Sequence, residues 1–364
     1  MRSAAFAYRL LHAKLTNGAV PFQVTINLTD SCNLKCEYCY CAFHQRRLKG
    51  IPHERLMRLI DELGEAGTVK VNLAGGEPLL YRRVDEVIAA IHARRMDCFV
   101  NTNGWFAERH IEALRKITRI NVSLDGDCAA HDRARGEGSF GKAIGALELA
   151  KREGIPRQIT TVVGSHNLDQ LDFLVAVARR FDAQIVIVNM MPPRGLPRSR
   201  FALDDQAVRE LFAEVIRRKQ RGEPFVYSIR AMRHLLDWPL PLEKDLVFRG
   251  EPFPGDGIRC YGGRFFCNVD TNGDLYPCCP ATGVVKPAPS ILNESFREAF
   301  SKLRHHPCVA CNVPQSVDMN LLFGLSPSVI LNTLRCYGAG VEAVRPVPVP
   351  VPVREVAHEV GAAV

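Results

Sequence analysis

"FQVTINLTDSCNLKCEYCYC", residues 22–41, joins two unlike pieces of chain. Its first seven residues are apolar and β-branched with polar residues interleaved, the pattern of a strand, and four cysteines then crowd the loop: Cys32, Cys36, Cys39 and Cys41. The same strand-then-loop arrangement recurs downstream, which is why this stretch decides the fold. Short β-branched runs at 22–28, 69–73, 97–102, 119–124, 158–163 and 184–189 alternate with helical periodicity near 53–66, 82–95, 107–116, 139–153, 167–181 and 204–219. Strands separated by helices pair in parallel through right-handed crossovers. Six β/α units are too few to close an eight-stranded barrel, so the pattern predicts either an open partial barrel or a flat doubly wound sheet. Both folds place ligands at the carboxyl ends of the strands, where "LTDSCNLKC", "AGGEP", "NTNG" and "SLDG" stand.

The bulk properties agree with a globular protein: 364 residues, 47% hydrophobic and 24% charged. No apolar run reaches about 18 residues, and the first helix-like stretch lacks the layout of a secretory signal. Thirteen cysteines in such a chain point to metal or redox ligands in a reducing compartment, so the cytoplasm is expected. A net charge of +8 suits an acidic partner, although no basic run is dense enough to single out nucleic acid.

Five segments follow from the pattern: an N-terminal helical segment (1–21), the β/α region (22–222), a linker or helical connection (223–258), a small cysteine-rich unit (259–340) and an extended Val-Pro tail (341–364). The cysteine-rich unit reads as a hairpin, "RFFCNVDTNGDLYPCC", turning at "DTNGD", with one helix near 293–304. So small a piece has little core, and a metal staple is physically reasonable.

Cys32, Cys36 and Cys39 can wrap three thiolates around one iron–sulfur cluster, leaving one iron without a protein ligand. That vacancy separates a reactive metal centre from a structural one. The competing reading is a zinc site with Cys41 or a histidine as fourth ligand; Cys41 lies only two past Cys39 and is read as a spare thiol. In the second set, Cys260, Cys278, Cys308 and Cys311 can hold zinc or a further cluster, with Cys267 and Cys336 as spares. Cys98 and Cys128 are read as non-ligands, the former in a strand core.

Cys32-x3-Cys36-x2-Cys39 with Tyr38 before the last cysteine, "GGEP" after the second strand and "SLDGDCAAHDRARGEGSF" after the fourth together resemble the radical S-adenosylmethionine (radical SAM) superfamily. The second cysteine set is similar to its auxiliary-cluster extensions, the SPASM and twitch domains. Val317 and Leu321 stand where the longer SPASM pattern carries further cysteines, which favours the twitch form with one auxiliary cluster. The resemblance implies a partial (β/α)6 TIM-type barrel with a small C-terminal auxiliary-cluster domain. It also implies a [4Fe-4S] cluster on Cys32, Cys36 and Cys39, SAM on the unique iron, and one auxiliary [4Fe-4S] cluster on Cys260, Cys278, Cys308 and Cys311.

By the same resemblance Gly75, Gly76 and Glu77 meet the methionine amine, Tyr38 lies near adenine through its backbone as much as its ring, Asn101, Asn103 and Ser123 serve ribose hydroxyls, and Arg135 pairs with a carboxylate. The implied chemistry is reductive SAM cleavage to a 5′-deoxyadenosyl radical and hydrogen abstraction from a substrate, with oxidation by the auxiliary cluster as the leading outcome. Cys279, next to a ligand, is a candidate hydrogen donor for a redox-neutral epimerase or mutase instead. The substrate classes are a small molecule, a sugar, a lipid-linked intermediate or a peptide. About twenty residues precede the first strand, too few for a winged-helix recognition module, so the first three are favoured. An acidic flavodoxin or ferredoxin is the expected electron donor. The reading from another class is a non-catalytic zinc or iron–sulfur module.

Overall fold

In a computed structural model the described residues are 2–191, 198–255 and 257–337; the Val-Pro tail lies outside them. In chain order they form α1 (Arg2–Leu15), β1 (Gln23–Asn27), α2 (His53–Ala66), β2 (Lys70–Ala74), α3 (Val84–Ala93), β3 (Asp97–Thr102), α4 (Ile111–Leu114) and β4 (Arg119–Ser123). Next come α5 (Cys128–Arg135), α6 (Ser139–Arg152), β5 (Arg157–Val163), α7 (Leu171–Arg180), β6 (Gln184–Asn189), α8 (Asp205–Gln220), α9 (Ile229–Leu236) and β7 (Leu246–Phe248). The chain continues through β8 (Phe266–Val269), β9 (Leu275–Tyr276), α10 (Phe296–Lys302), β10 (Cys308–Cys311), α11 (Pro314–Phe323) and α12 (Pro327–Tyr337).

The main sheet runs β6-β5-β4-β3-β2-β1-β8-β9, parallel throughout except for the antiparallel β8–β9 hairpin. Its six consecutive β/α strands form the partial TIM-type barrel. The alternation of side chains explains the curvature. Val71 and Leu73 of β2 point to the helices and are fully buried, whereas Lys70, Asn72 and Ala74 face the other way. α2 shows how the outer layer is held. Leu56, Leu59, Ile60 and Leu63 recur at helical spacing and are all buried, and Gly67 closes the helix at φ +88°. Each such side chain contributes about 1.5–3 kcal/mol by leaving water.

Two expectations change. The helix at 107–116 splits into a 3-10 turn and the single-turn α4, because His110 stands at φ −110°, ψ 20°, off the helical dihedrals. The cysteine-rich hairpin is not a free-standing unit: β8 pairs in parallel with β1, Val24 opposite Cys267 and Ile26 opposite Val269. This second neighbour explains why Val24–Asn27 of β1 are buried without a break. After α10 come two further helices, α11 and α12, that periodicity had not suggested. No single helix is long and apolar enough to cross a membrane.

Candidate active site

The cysteine loop and the glycine motif continue the β1–β2 ladder past the ends of both strands. Leu28 N–H donates to Ala74 O at 2.9 Å, Gly76 N–H to Thr29 O at 2.7 Å and Glu77 N–H to Ser31 O at 2.9 Å. A Cβ at Gly76 would stand 2.3 Å from Ser31 O, and one at Gly75 2.7 Å from Thr29 O, with Gly75 at φ +123°. The glycines are therefore required by the chain's own loop, which they allow to lie flat against the motif just before Cys32.

Glu77 is clamped at this junction. It is buried, and its carboxylate accepts from Leu79 N–H (3.1 Å), Thr102 Oγ1 (2.8 Å) and Asn103 N–H (2.8 Å). Burial nevertheless pushes it up to about 7. With three of its roughly four acceptor positions used, one lone pair is left for a donor. Asn103 also reaches the cysteine loop, its Nδ2 donating to Asn33 Oδ1 at 2.9 Å. Asn101 belongs to an amide ladder inside the barrel, donating to Asn72 Oδ1 and accepting from Asn121 Nδ2, both at 2.9 Å. Ser123 ends β4 at the same rim.

Tight turns redirect the cysteines: Cys39 N–H donates to Cys36 O at 3.2 Å and Ala42 N–H to Cys39 O at 3.0 Å. Leu34 N–H points at Cys32 Sγ, 3.4 Å away. Burial pushes Cys32 up to about 11 and Cys36 to about 12, and both thiols feel Cys39. Cys41 is buried apart from them, beside Tyr40 and the Arg46–Asp270 ion pair.

Tyr38 turns inward, so its ring is spent on the protein. It stacks on His166 with ring centroids 5.7 Å apart, carries the Arg135 guanidinium 5.4 Å from its centroid, and donates its hydroxyl to Asp125. Arg135 does pair with a carboxylate, but it is that of Asp125: Nε to Oδ2 at 2.7 Å and Nη2 to Oδ1 at 3.2 Å. Val162 N–H completes the set at 3.0 Å, and His166 Nε2 lies 3.8 Å from Oδ2. Burial alone would raise the Asp125 carboxyl; the Arg135 charge and the neighbouring histidines hold it well below the usual carboxylate range. His131, pushed down to about 4 by burial and Arg135, accepts the Asp125 N–H. Sequence reasoning quoted "SLDG" without singling out Asp125, and the motif was the available signal.

The second cysteine set lies around one pocket. Cys260, Cys278, Cys308 and Cys311 line one buried cavity with His306, Ser316 and Asn320. Two elements deliver these residues: the β8–β9 hairpin ends at Cys278, and β10, carrying Cys308 and Cys311, pairs antiparallel with β7. His306 was not anticipated; its Nδ1 takes the Cys308 N–H at 3.2 Å and its Nε2 lies 3.1 Å from Gly262 O. Cys267 and Cys336 are buried elsewhere, Cys98 is in the β3 core and Cys128 opens α5 at the surface. Cys279 faces away from that cavity. Its Sγ is 3.5 Å from Asn268 Oδ1 in the company of Thr25 and Tyr40, and burial pushes it up to about 11.

The two cysteine regions are stapled together. Arg46 Nη2 donates to Asp270 Oδ2 at 2.6 Å, Thr271 Oγ1 to Asp30 Oδ1 at 2.8 Å and Asn27 Nδ2 to Asp270 Oδ1 at 3.0 Å. The "DTNGD" turn, closed by Gly273 N–H to Asp270 O, thus holds the cysteine loop in place.

The sequence profile described as "Radical SAM superfamily" matches residues 26–176. Among curated proteins, the mycofactocin maturase MftC of Mycolicibacterium smegmatis (strain ATCC 700084 / mc(2)155) is 29% identical over 275 residues, covering 71% of this chain. The chain spans only 64% of that maturase's length. The AdoMet-dependent heme synthase of Nitratidesulfovibrio vulgaris (Hildenborough) is 25% identical over 300 residues, 76% of this chain and 78% of that protein. Among solved structures, Streptococcus suis SuiB bound to S-adenosylmethionine has the same fold at TM-score 0.64 and 19% identity, covering 81% of this chain and 70% of that one. Members of the superfamily use a [4Fe-4S] cluster and SAM, and the donor set fits such a group: three thiols on one loop beside a carboxylate with one acceptor position left. Residues 26–176, matched by the profile and carrying the first cysteine loop, form a radical SAM domain.

Proposed function

We propose that this protein is a radical SAM oxidoreductase in which an auxiliary cluster exchanges an electron with a substrate radical. The observation that carries the proposal is the laddering of the Cys32 loop onto the Gly75–Gly76–Glu77 motif, which brings three thiols and one buried carboxylate to the same strand end. Cys32, Cys36 and Cys39 would hold the first cluster, and Cys260, Cys278, Cys308 and Cys311 the auxiliary one. When bound, the first cluster and SAM supply reductive sulfonium cleavage and a 5′-deoxyadenosyl radical able to remove a substrate hydrogen.

The chain's own residues orient and shield. Glu77 offers its remaining lone pair to the methionine ammonium, and its ionised form is favoured once that cation arrives. Tyr38, fixed by its hydroxyl, presents its backbone to adenine. Asn101, Asn103 and Ser123 offer polar groups to the ribose at the strand ends. Arg135, held by Asp125, contributes positive potential beside Cys36 and toward a carboxylate.

Relatives that make a heme and mature mycofactocin show how far substrates diverge around one radical generator. SuiB has been solved with its precursor peptide SuiA, which favours the peptide among the four substrate classes. An acidic flavodoxin or ferredoxin in the cytoplasm would supply the electron to this basic chain. The redox-neutral alternative rests on Cys279, whose neutral thiol is the form a hydrogen-atom donor requires.

The test is anaerobic reconstitution with iron and sulfide counting, followed by a search for 5′-deoxyadenosine after reduction with SAM. About eight irons per chain and the nucleoside are expected. Protein without a cluster, or with one that leaves SAM intact under reduction, overturns the proposal.

A further inference from the structure

A cleft of about 900 Å³ lies between α8, α9 and α12, on the side of the molecule away from the Cys32 loop motif. Its walls carry Lys219 from α8, Arg230 and Arg233 from α9 and Arg335 from α12, with His234 disfavoured as a cation by burial; Asp237 lines the cleft and Asp318 acts on Lys219. Its size is at the upper end of the range of about 300–1,000 Å³ typical of ligand clefts. Such an accumulation of cations has an electrostatic cost unless something negative comes to it.

The contrast with adjacent surface is informative. Arg217 and Arg218, also on α8, pair with Glu214 and Asp172 at 2.5–2.9 Å, and Arg221 with Glu214 at 3.4 Å. Lys219, Arg230, Arg233 and Arg335 make no ion pair among the described residues. Lys219 instead donates to backbone Phe225 O and Val226 O, and Arg230 Nη1 to Ser326 Oγ at 3.0 Å. The inner end approaches the auxiliary cysteines, since Ile258 lines both cavities and His234 Nε2 stands 3.1 Å from Cys311 O.

We propose that this cleft binds an acidic segment of the peptide substrate. The cations are distributed over three helices instead of converging on one point, which suits carboxylates strung along a chain better than a single phosphate. A concave site admits an extended segment and excludes a flat bilayer, and its unpaired arginines favour a segment of opposite charge. A segment held here runs toward the auxiliary cysteines. The assignment rests on the peptide reading of the function.

The experiment is fluorescence anisotropy of a fluorescein-labelled glutamate-containing peptide against the reconstituted holoenzyme, with the glutamine-for-glutamate peptide as control. Arg233→Glu with Arg335→Glu should weaken binding roughly ten-fold or more, and salt should weaken it further. Arg217→Glu with Arg221→Glu, the same charge change just outside the cleft, should leave it within about two-fold. Circular dichroism checks that both double variants fold. Equal losses in the two variants, equal affinity for the glutamine peptide, or tighter binding of phosphatidylcholine–phosphatidylglycerol vesicles or a single-stranded oligonucleotide overturns the assignment. Formation of 5′-deoxyadenosine without peptide separates the two proposals: it should be unchanged in both variants, and if it persists while the peptide fails to bind, only the cleft assignment falls.

Discussion

The Oδ2 atom of Asp125 that receives Arg135 Nε at 2.7 Å also receives the hydroxyl of Tyr38, so one buried carboxylate ties the loop after β4 to the cysteine loop. Asp125→Asn keeps the shape and removes the charge, leaving the Arg135 guanidinium buried without its counter-ion. The expected loss is about 3–5 kcal/mol of stability, read by anaerobic denaturant unfolding. Since the folded-state carboxyl is held below its unfolded value, wild-type stability from this group is present above about pH 3.9 and lost as pH falls below it. The Asp125→Asn variant should lack that acid limb.

Gly76→Ala places a methyl against Ser31 O, a backbone atom that cannot step aside without moving Cys32. An overpacking cost of about 1–3 kcal/mol is expected, with a larger proportional loss of iron on reconstitution than of folded protein. Full iron content with unchanged SAM affinity by titration calorimetry would show that the loop does not need to lie flat.

At the opposite end of the barrel, Lys70 Nζ sits 3.8 Å from the Phe99 ring centroid and Arg119 lies 5.2 Å from that of Tyr337 on α12. Burial, with Arg119 adding to it, pushes Lys70 down to about 8. A base whose folded value is lowered opposes folding while it is charged, so stability should rise with pH from about 8 to about 10.4. Lys70→Met should stabilise the protein at pH 7 by on the order of 1–2 kcal/mol, less than the full shift implies because the side chain keeps some exposure. The variant should also flatten the alkaline rise in thermal melting temperature.

Cys278 and Cys279 are neighbours with different surroundings, and their alanine variants should separate accordingly. Cys278→Ala is expected to lose the auxiliary iron, about four per chain, while retaining the first cluster's absorbance. Cys279→Ala should keep all iron and all uncoupled SAM cleavage. If turnover of substrate stops in Cys279→Ala alone, the reaction is redox-neutral; an oxidative enzyme continues.

Local pattern was enough for the barrel. β3 and β6 begin and end where periodicity put them, because β-branched runs bounded by turn residues carry their own limits. The cysteine groupings were legible for the same reason, spacing being a local property, and the four later cysteines do line one cavity. What escaped was long-range. Asp125 takes its partners from Tyr38, 87 positions away, and from Val162, and nothing near "SLDG" announces either. The glycines of "GGEP" were read only as meeting the methionine amine, and the close approach of Thr29 O and Ser31 O to them comes from a loop more than forty positions away. The same holds for Asn27 and Asp270, hydrogen-bonded across 243 positions.

The parallel pairing of β8 with β1 makes the cysteine-rich region a structural wall of the barrel. Cutting the chain before Cys260 would not liberate a smaller working enzyme. It would strip β1 of one neighbour, bare a row of backbone amides and carbonyls along a strand otherwise buried, and leave a template for aggregation at the very strand that leads into the first thiols. Trimmed versions prepared for crystallisation or peptide screening should therefore keep everything through β10, and the two metal regions should be lost together when either is unfolded.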